Sequence, residues 1–192
     1  MKNTVFTGAA TAIITPFKNN QVDYDAFEKL IQWQIAQGID AIVVVGTTGE
    51  CPTLTDEEHK AVIKFCVDKV AGRVPVIAGT GSNDVAYAIE LTKYACEVGA
   101  DAMLLVTPYY NKATQNGLIA FFTAIADAST KPCILYNVPG RTSCSIAPQT
   151  YAKLASRSII GIIHIRVFFA KVEMTIRSRR TITLYCNSIT TF

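Results

Sequence analysis

The sequence predicts an α/β fold of the (β/α)8 barrel type, here incomplete, with six or seven strand–helix units. Apolar runs rich in β-branched residues alternate with amphipathic segments along the chain, as expected for repeated βα units. Polar and unusual residues collect directly after the apolar runs, where a barrel has its active site. Because such barrels typically take about 250 residues, the 192 residues of this chain are expected to hold fewer than the usual eight strands.

The predicted strands are short and apolar throughout. Runs such as AIVVVG and AMLLVTP lack polar alternation, which indicates parallel strands covered on both faces. A doubly wound sheet would share this pattern, but no GxGxxG motif follows the first strand, which disfavours a dinucleotide-binding sheet. The predicted strands cover residues 8–17, 41–46, 74–79, 102–107, 132–138 and 158–163, with a seventh candidate at 181–185.

The segments between the strands have the apolar spacing of helices. Phe27, Ile31 and Ile35 recur at intervals of four residues and form one face. Thr55 is followed three residues later by Glu58, which predicts a capping box at a helix start. The predicted helices are 23–38, one that begins after Thr55, 85–98 and 117–129.

The net charge of +3 comes from the end of the chain. Residues 1–163 carry 13 basic and 14 acidic side chains, whereas residues 164–192 carry five basic and one acidic. The near-neutral body gives no argument for nucleic-acid or membrane binding. We therefore divide the chain into a partial barrel at 1–163 and a divergent basic tail at 164–192, interpreted as the remnant of a sixth helix and seventh strand.

The cysteines favour a reducing compartment. The six cysteines, at positions 51, 66, 96, 133, 144 and 186, form no CxxC motif and have no accompanying histidine cluster. They are expected to be reduced thiols in a cytoplasmic protein, with neither disulfides nor a metal site. No run of about 18 uncharged apolar residues predicts a transmembrane helix, and the N-terminal apolar run is interpreted as a barrel strand, not a signal peptide.

Three loops after predicted strands carry candidate chemistry. GTTGE at 46–50 offers backbone N–H groups and hydroxyls to a small carboxylate. PYYNK at 108–112 has two adjacent tyrosines, one of which is expected to face the barrel mouth. YNVPGRT at 136–142 places the Tyr136 phenol at a strand end and Arg141 on a turn. Each loop alone is also explained as an ordinary turn, but together they suit carbonyl chemistry in which a lysine amine forms a Schiff base.

The motifs GTTGE, GTGSN, PYYNK and YNVPGRT, in this order and spacing, resemble the dihydrodipicolinate synthase (4-hydroxy-tetrahydrodipicolinate synthase) family. The resemblance runs from about Thr7 to Gly161. It implies a (β/α)8 barrel lyase that condenses pyruvate with L-aspartate 4-semialdehyde through a lysine Schiff base, in lysine and diaminopimelate biosynthesis. It implies a homo-oligomer, dimer or tetramer, and neither a metal nor an organic cofactor.

The resemblance also implies roles for single residues. Gly46 and Thr48 would bind the pyruvate carboxylate, and Arg141 would meet the carboxylate of the semialdehyde. Tyr110 would reach into the site of a neighbouring subunit. The implied proton relay consists of Thr47, Tyr110 and Tyr136.

Some members of this family are inhibited by lysine. His59, Asn83 and Tyr109 match positions used for that effector, whereas Asp56 and Tyr87 depart from the lysine-sensitive pattern. The alternative interpretation of His59 is a plain surface residue in an acidic helix start.

The expected nucleophile is missing. Ile163 stands where the resemblance implies the Schiff-base lysine, and the family pattern resumes near Phe169. A compensated frameshift or a sequencing error explains such a local scramble, and a real substitution is the alternative. Lys112, in a loop, and Lys171, beyond the strand, lack the apolar setting that lowers a lysine pKa.

Three functional interpretations follow. The first is a family synthase by descent whose chain, as written, is expected to be inactive because of Ile163. The second is a catalytically inactive remnant that binds pyruvate or pairs with a full-length subunit. The third is a related sialic-acid or keto-sugar-acid aldolase, which the YNVPGRT motif disfavours.

Overall fold

A computed structural model describes residues 4–157, 159–161, 173–175 and 181–183. The strands are β1 (Ala10–Ala12), β2 (Phe17–Lys18), β3 (Gln21–Val22), β4 (Ala41–Val44), β5 (Val76–Gly79), β6 (Ala102–Val106), β7 (Cys133–Tyr136), β8 (Ile160–Gly161), β9 (Glu173–Thr175) and β10 (Thr181–Thr183). The α-helices are α1 (Tyr24–Ala36), α2 (Asp56–Val70), α3 (Val85–Glu97), α4 (Gln115–Asp127), α5 (Pro139–Thr142) and α6 (Pro148–Ala155). Within this described part, no helix is long and apolar enough to cross a membrane.

Six strands form one sheet in the order β1-β4-β5-β6-β7-β8. Every neighbouring pair is parallel, and each strand pairs with the next barrel strand along the chain. At least one helix lies between the two strands of each of these five pairs, which is the usual connection of parallel strands. The structure therefore confirms the predicted incomplete (β/α)8 barrel.

The sheet separates two apolar cores. Successive residues of a strand face opposite sides, so Ile42 and Val44 pack toward the helices with Phe27 and Phe122. Burial of each such side chain contributes about 1.5–3 kcal/mol. A second group of side chains, here called the interior cluster, faces the inside of the barrel; its buried members are Ala41, Val43, Ile77, Ala102, Leu104 and Ile134.

Helices α1 to α4 begin at residues whose side chains accept backbone hydrogen bonds. The predicted capping box is present: Thr55 Oγ1 accepts from Glu58 N at 3.2 Å, and Glu58 Oε2 accepts from Thr55 N at 2.9 Å. At the start of α1, Asp23 Oδ1 accepts a hydrogen bond from Ala26 N at 3.0 Å. These caps fix the residues at which α1 and α2 begin. They thereby fix the ends of the loops that precede the two helices.

Two strand predictions need correction. The predicted strand 8–17 is only Ala10–Ala12, because the chain then enters a separate antiparallel hairpin of β2 and β3. The predicted strand at 181–185 exists as β10, but β10 pairs antiparallel with β9 and does not join the parallel sheet. The division of the chain at residue 163 stays a prediction.

Candidate active site at the carboxyl ends of the strands

The three candidate loops and the GTGSN segment at 79–83 lie side by side at one edge of the sheet. The strands that precede them, β4, β5, β6 and β7, are consecutive neighbours, so their carboxyl ends meet at the same end of the barrel. Left-handed backbone is concentrated there, and for a β-branched residue such as Val45 it is a genuine outlier. The non-glycine residues with positive φ in these loops are Val45 (47°), Glu50 (55°), Tyr110 (71°), Lys112 (49°) and Ser143 (52°).

The GTTGE loop folds as a tight turn. Gly46 is extended, and Thr47–Gly49 form one 3₁₀ turn whose hydrogen bonds use the N–H groups of Gly49 and Glu50. The N–H groups of Thr47 and Thr48 are therefore the two that the turn itself does not use. Both threonines are half-buried. Such a turn can offer two N–H groups and two hydroxyls to one small anion.

The backbone of this turn is held by its neighbours in the barrel. Thr15 Oγ1, buried after β1, donates to Gly49 O at 2.8 Å. A Cβ atom on Gly79 would overlap the carbonyl oxygen of Val45, and a Cβ on Gly81 would overlap Val106 N. The two glycines of GTGSN thus allow backbone-to-backbone contact between successive loops, a role that the sequence analysis did not assign.

Tyr136 is the last residue of β7, as predicted for a residue at a strand end. Its side chain is half-buried and packs on the interior cluster, so the phenol lies on the inner side of the barrel. Thr107 N donates to Tyr136 O at 3.2 Å, which joins the ends of β6 and β7. The phenol and the GTTGE turn therefore belong to the same end of the barrel.

The two tyrosines of PYYNK point in different directions, as predicted. Tyr109 is half-buried and lines a cavity described below. Tyr110 is 90% exposed, with φ at 71°. The described residues of this chain therefore do not enclose Tyr110 in one buried cluster with Thr47 and Tyr136.

Arg141 lies on α5, a single turn that begins at Pro139. Arg141 is exposed, whereas its neighbour Thr142 is buried. The sequence predicts a turn here, whereas the structure has one helical turn; proline is favoured at the first helical position.

A cavity of about 250 Å³ opens beside the candidate active site. His59 is only 4% exposed and lies 3.0 Å from Gly79 O through Nε2. Because a carbonyl only accepts, Nε2 carries the proton, and Nδ1 can accept from the Tyr87 hydroxyl at 3.4 Å. Burial lowers the pKa of His59. Because its side chain is buried, the interpretation of His59 as a plain surface residue is wrong. The cavity is lined by Cys51, Pro52, Leu54, Asp56, His59, Gly81, Ser82, Tyr87 and Tyr109.

The predicted effector residues are only partly brought together. His59 and Tyr109 line the cavity, whereas Asn83 lies just beyond it. Asn83 is fixed instead by Asn111, whose Nδ2 donates to Asn83 O at 2.8 Å. The Asp56 carboxylate accepts from Lys60 Nζ at 2.9 Å, and this bond lowers the pKa of Asp56.

Position 163, where the resemblance implies the Schiff-base lysine, lies outside the residues that the structure describes. The described part of β8 ends at Gly161, which pairs with Ile134, so Ile163 is not described. Lys112 is exposed in its loop. Among the described residues, no group of three His, Cys, Asp or Glu side chains could hold a metal ion.

Comparison with known proteins places this geometry in a family. The sequence model of the "Dihydrodipicolinate synthetase family" matches residues 5–186. A 4-hydroxy-tetrahydrodipicolinate synthase of Acetivibrio thermocellus is 61% identical over 155 residues, which are 81% of this chain and 53% of that protein. The corresponding protein of Geobacter metallireducens is 56% identical over 159 residues, 82% of this chain and 55% of that protein.

Solved structures show the same likeness. The dihydrodipicolinate synthase of Aquifex aeolicus is 53% identical with a TM-score of 0.78, over 79% of this chain and 52% of that one. The chloride-inhibited synthase of Acinetobacter baumannii, complexed with pyruvate, is 50% identical with a TM-score of 0.79, over 84% and 56%. The chain spans about half the length of the relatives it matches.

Proposed function

This chain belongs to the dihydrodipicolinate synthetase family, and on that premise we propose that its strand-end loops bind pyruvate and L-aspartate 4-semialdehyde. The complete activity would be the lyase-type condensation of these two compounds in lysine and diaminopimelate biosynthesis. The observation that carries the proposal is the common edge formed by the GTTGE turn, Tyr136 and the Arg141 turn. These loops offer an anion site, a phenol and a guanidinium at one end of the barrel.

The GTTGE turn is the proposed pyruvate-carboxylate site. Gly46 and the N–H group and hydroxyl of Thr48 would hold the carboxylate, because a small anion can accept several hydrogen bonds from a tight turn. The strained Val45 and the close contact at Gly79 fix the backbone of this turn before a ligand binds. A preformed site of this kind avoids the cost of ordering the loop on binding.

The remaining candidate residues fit carbonyl chemistry. A lysine amine would condense with the ketone of pyruvate, release water and give an imine. Tyr136 would pass protons to and from that centre, with Thr47 and Tyr110 as the other members of the relay. Because Tyr110 is 90% exposed in one chain, it would take part from a neighbouring subunit of a homo-oligomer.

Arg141 is the proposed partner of the semialdehyde carboxylate. A guanidinium can hold a carboxylate with two parallel hydrogen bonds. A sialic-acid or keto-sugar-acid lyase would instead meet a polyhydroxylated substrate. The Arg141 turn therefore supports an aldehyde partner that carries its own carboxylate over a polyhydroxylated aldehyde without one.

The cavity lined by His59 and Tyr109 is the proposed effector site, together with the neighbouring Asn83. Its carboxylate, Asp56, is already paired with Lys60, and the Tyr87 ring occupies one wall. We therefore expect free lysine to bind weakly in this cavity. Titration with lysine, followed by the NMR signals of His59 and Tyr109, would measure the affinity.

The second candidate function is ligand binding without covalent chemistry. The observation that favours it is Ile163 at the position implied for the lysine, because an aliphatic side chain cannot form an imine. This candidate keeps the same strand-end loops as the binding site and the same two ligands. It differs from the first only in whether a covalent adduct forms.

Borohydride trapping with pyruvate separates the two candidates. The unmodified chain and an Ile163→Lys variant are incubated with pyruvate and borohydride, and intact and peptide masses are measured. We expect no adduct on the unmodified chain and a stable adduct at position 163 of the variant. An adduct on Lys112 or Lys171 of the unmodified chain would contradict the assignment of position 163. Failure of the variant to bind or trap pyruvate would contradict the proposed function.

A further inference from the structure

We propose that Thr107 and Thr142 act as a positioning pair that fixes the Arg141 turn for the carboxylate of the second ligand. This inference rests on the proposed function and assigns a role to two residues outside the candidate relay and binding set. Neither threonine would touch the ligand. Both would act through the backbone that carries Arg141.

Thr107 lies at the centre of the two loops. It is fully buried directly after β6, and its N–H donates to Tyr136 O at 3.2 Å. Its hydroxyl donates to Thr142 Oγ1 at 2.9 Å. One residue therefore connects the strand end that carries the phenol with the turn that carries the guanidinium.

Thr142 anchors that turn from its own side. It is 4% exposed, and its hydroxyl donates to Cys144 O at 3.0 Å while it accepts from Thr107. Cys144 N also lies 3.4 Å from the same oxygen. The hydroxyl thus closes the backbone after α5, where Ser143 is left-handed with φ at 52°.

The α5 turn needs such an anchor because it is too short to hold its own shape. It has four residues, and a single helical turn is unstable without tertiary contacts. Gln115 secures the following segment through Ser145 O at 2.8 Å and Ala147 N at 2.9 Å. The Thr107–Thr142 bond is the buried side-chain contact next to Arg141, so it sets where the guanidinium is presented.

Removal of one hydroxyl would leave its buried partner without that bond. A buried polar group that loses its hydrogen-bond partner is unfavourable. The chain can relieve this by moving α5, which is a single turn, more readily than by moving strand β6. The Arg141 turn would move, whereas the GTTGE turn, held by Thr15 and Gly79, would not. The expected result is a selective loss of affinity for the second ligand.

The test compares binding of two compounds to the full chain. Pyruvate probes the GTTGE turn, and succinate semialdehyde, which has the aldehyde and the carboxylate but no amino group, probes Arg141. The variants are Thr107→Val, Thr142→Val, Thr107→Ser and Thr142→Ser. Thr92→Val is the matched control, because Thr92 and Thr80 form another buried hydroxyl pair at 2.8 Å that is not bonded to the Arg141 turn.

We expect both valine variants to bind succinate semialdehyde about tenfold more weakly, with pyruvate affinity unchanged within about twofold. The serine variants should recover most of the loss, and Thr92→Val should change neither ligand. Amide hydrogen exchange of residues 138–145 should rise in the valine variants alone.

An equal loss for both ligands, or no loss for either, would overturn the positioning role while leaving the proposed function intact. If the unmodified chain binds neither compound, the proposed function fails, and the positioning role fails with it. If exchange rises without any change in semialdehyde affinity, the pair is only structural and the inference is refuted.

Discussion

Protonation of His59 should destabilise the protein as the pH falls below about 6.5. The folded chain buries a neutral His59 between Gly79 O and the Tyr87 hydroxyl, and burial lowers its pKa from the ordinary value of 6.5. The unfolded chain therefore binds a proton in a pH window where the folded chain does not. The free energy of unfolding consequently rises with pH in that window. This contribution is fully present above about 6.5 and is lost as the pH falls toward the lower pKa of the folded state.

The magnitude follows from the number of protons involved. One proton bound only by the unfolded state changes the free energy of unfolding by at most about 1.4 kcal/mol per pH unit. The chain has two histidines, His59 and His164, so few groups titrate in this window. A His59→Gln variant keeps a donor that can reach Gly79 O but does not titrate.

Urea denaturation at several pH values between 5.5 and 7.5 tests this expectation. The slope of unfolding free energy against pH should be positive below about 6.5 in the unmodified chain and smaller in His59→Gln. His164→Gln is the control and should retain the slope that His59 causes. Identical slopes for the unmodified chain and His59→Gln, or stability that rises on acidification, would refute the reasoning.

Three further changes, one of them with an exposed control, test the packing and capping by the same denaturation measurement. Gly79→Ala should cost about 2 kcal/mol or more, because the added Cβ meets the backbone of Val45 and not a movable side chain; a cost near zero would contradict that contact. Thr55→Ala should cost about 1 kcal/mol through loss of the capping box, and an unchanged midpoint would refute this. Phe122→Ala should lower the free energy of unfolding by about 3–5 kcal/mol because Phe122 is fully buried. Its control, Trp33→Ala, lies at a position that is 56% exposed and should change that free energy by no more than about 0.5 kcal/mol. Similar costs for the two variants would be inconsistent with the described core.

Local signals made much of the fold predictable. The helix at Thr55 starts as predicted because a capping box needs only two residues three positions apart. The apolar strands were recognised because burial on both faces removes polar residues from them. The β2–β3 hairpin was missed, although its turn residues Asn19 and Asn20, both left-handed, belong to a type favoured in two-residue hairpin turns.

Features that depend on contacts between distant segments were harder to predict. The burial of His59 requires Gly79 and Tyr87, which lie 20 and 28 residues further along the chain. A lone histidine in an acidic helix start has no local pattern that indicates such burial. The Thr107–Thr142 bond spans 35 residues and likewise follows only from the packing of the strands.

The proposed binding of the two ligands and the proposed covalent step depend on different parts of the chain. The GTTGE turn is fixed by Thr15 and by backbone contact at Gly79, and the Arg141 turn by the Thr107–Thr142 bond. All of these contacts lie within the first five parallel strands and the loops that follow them, so none involves position 163. On the proposed function, a residue at position 163 would therefore determine whether a bound ketone becomes an imine, but it would not create the turns proposed to hold the two carboxylates. If the proposed function holds, an Ile163→Lys change should add trapping by borohydride to strand-end loops whose noncovalent affinity for pyruvate would already be present in the unmodified chain.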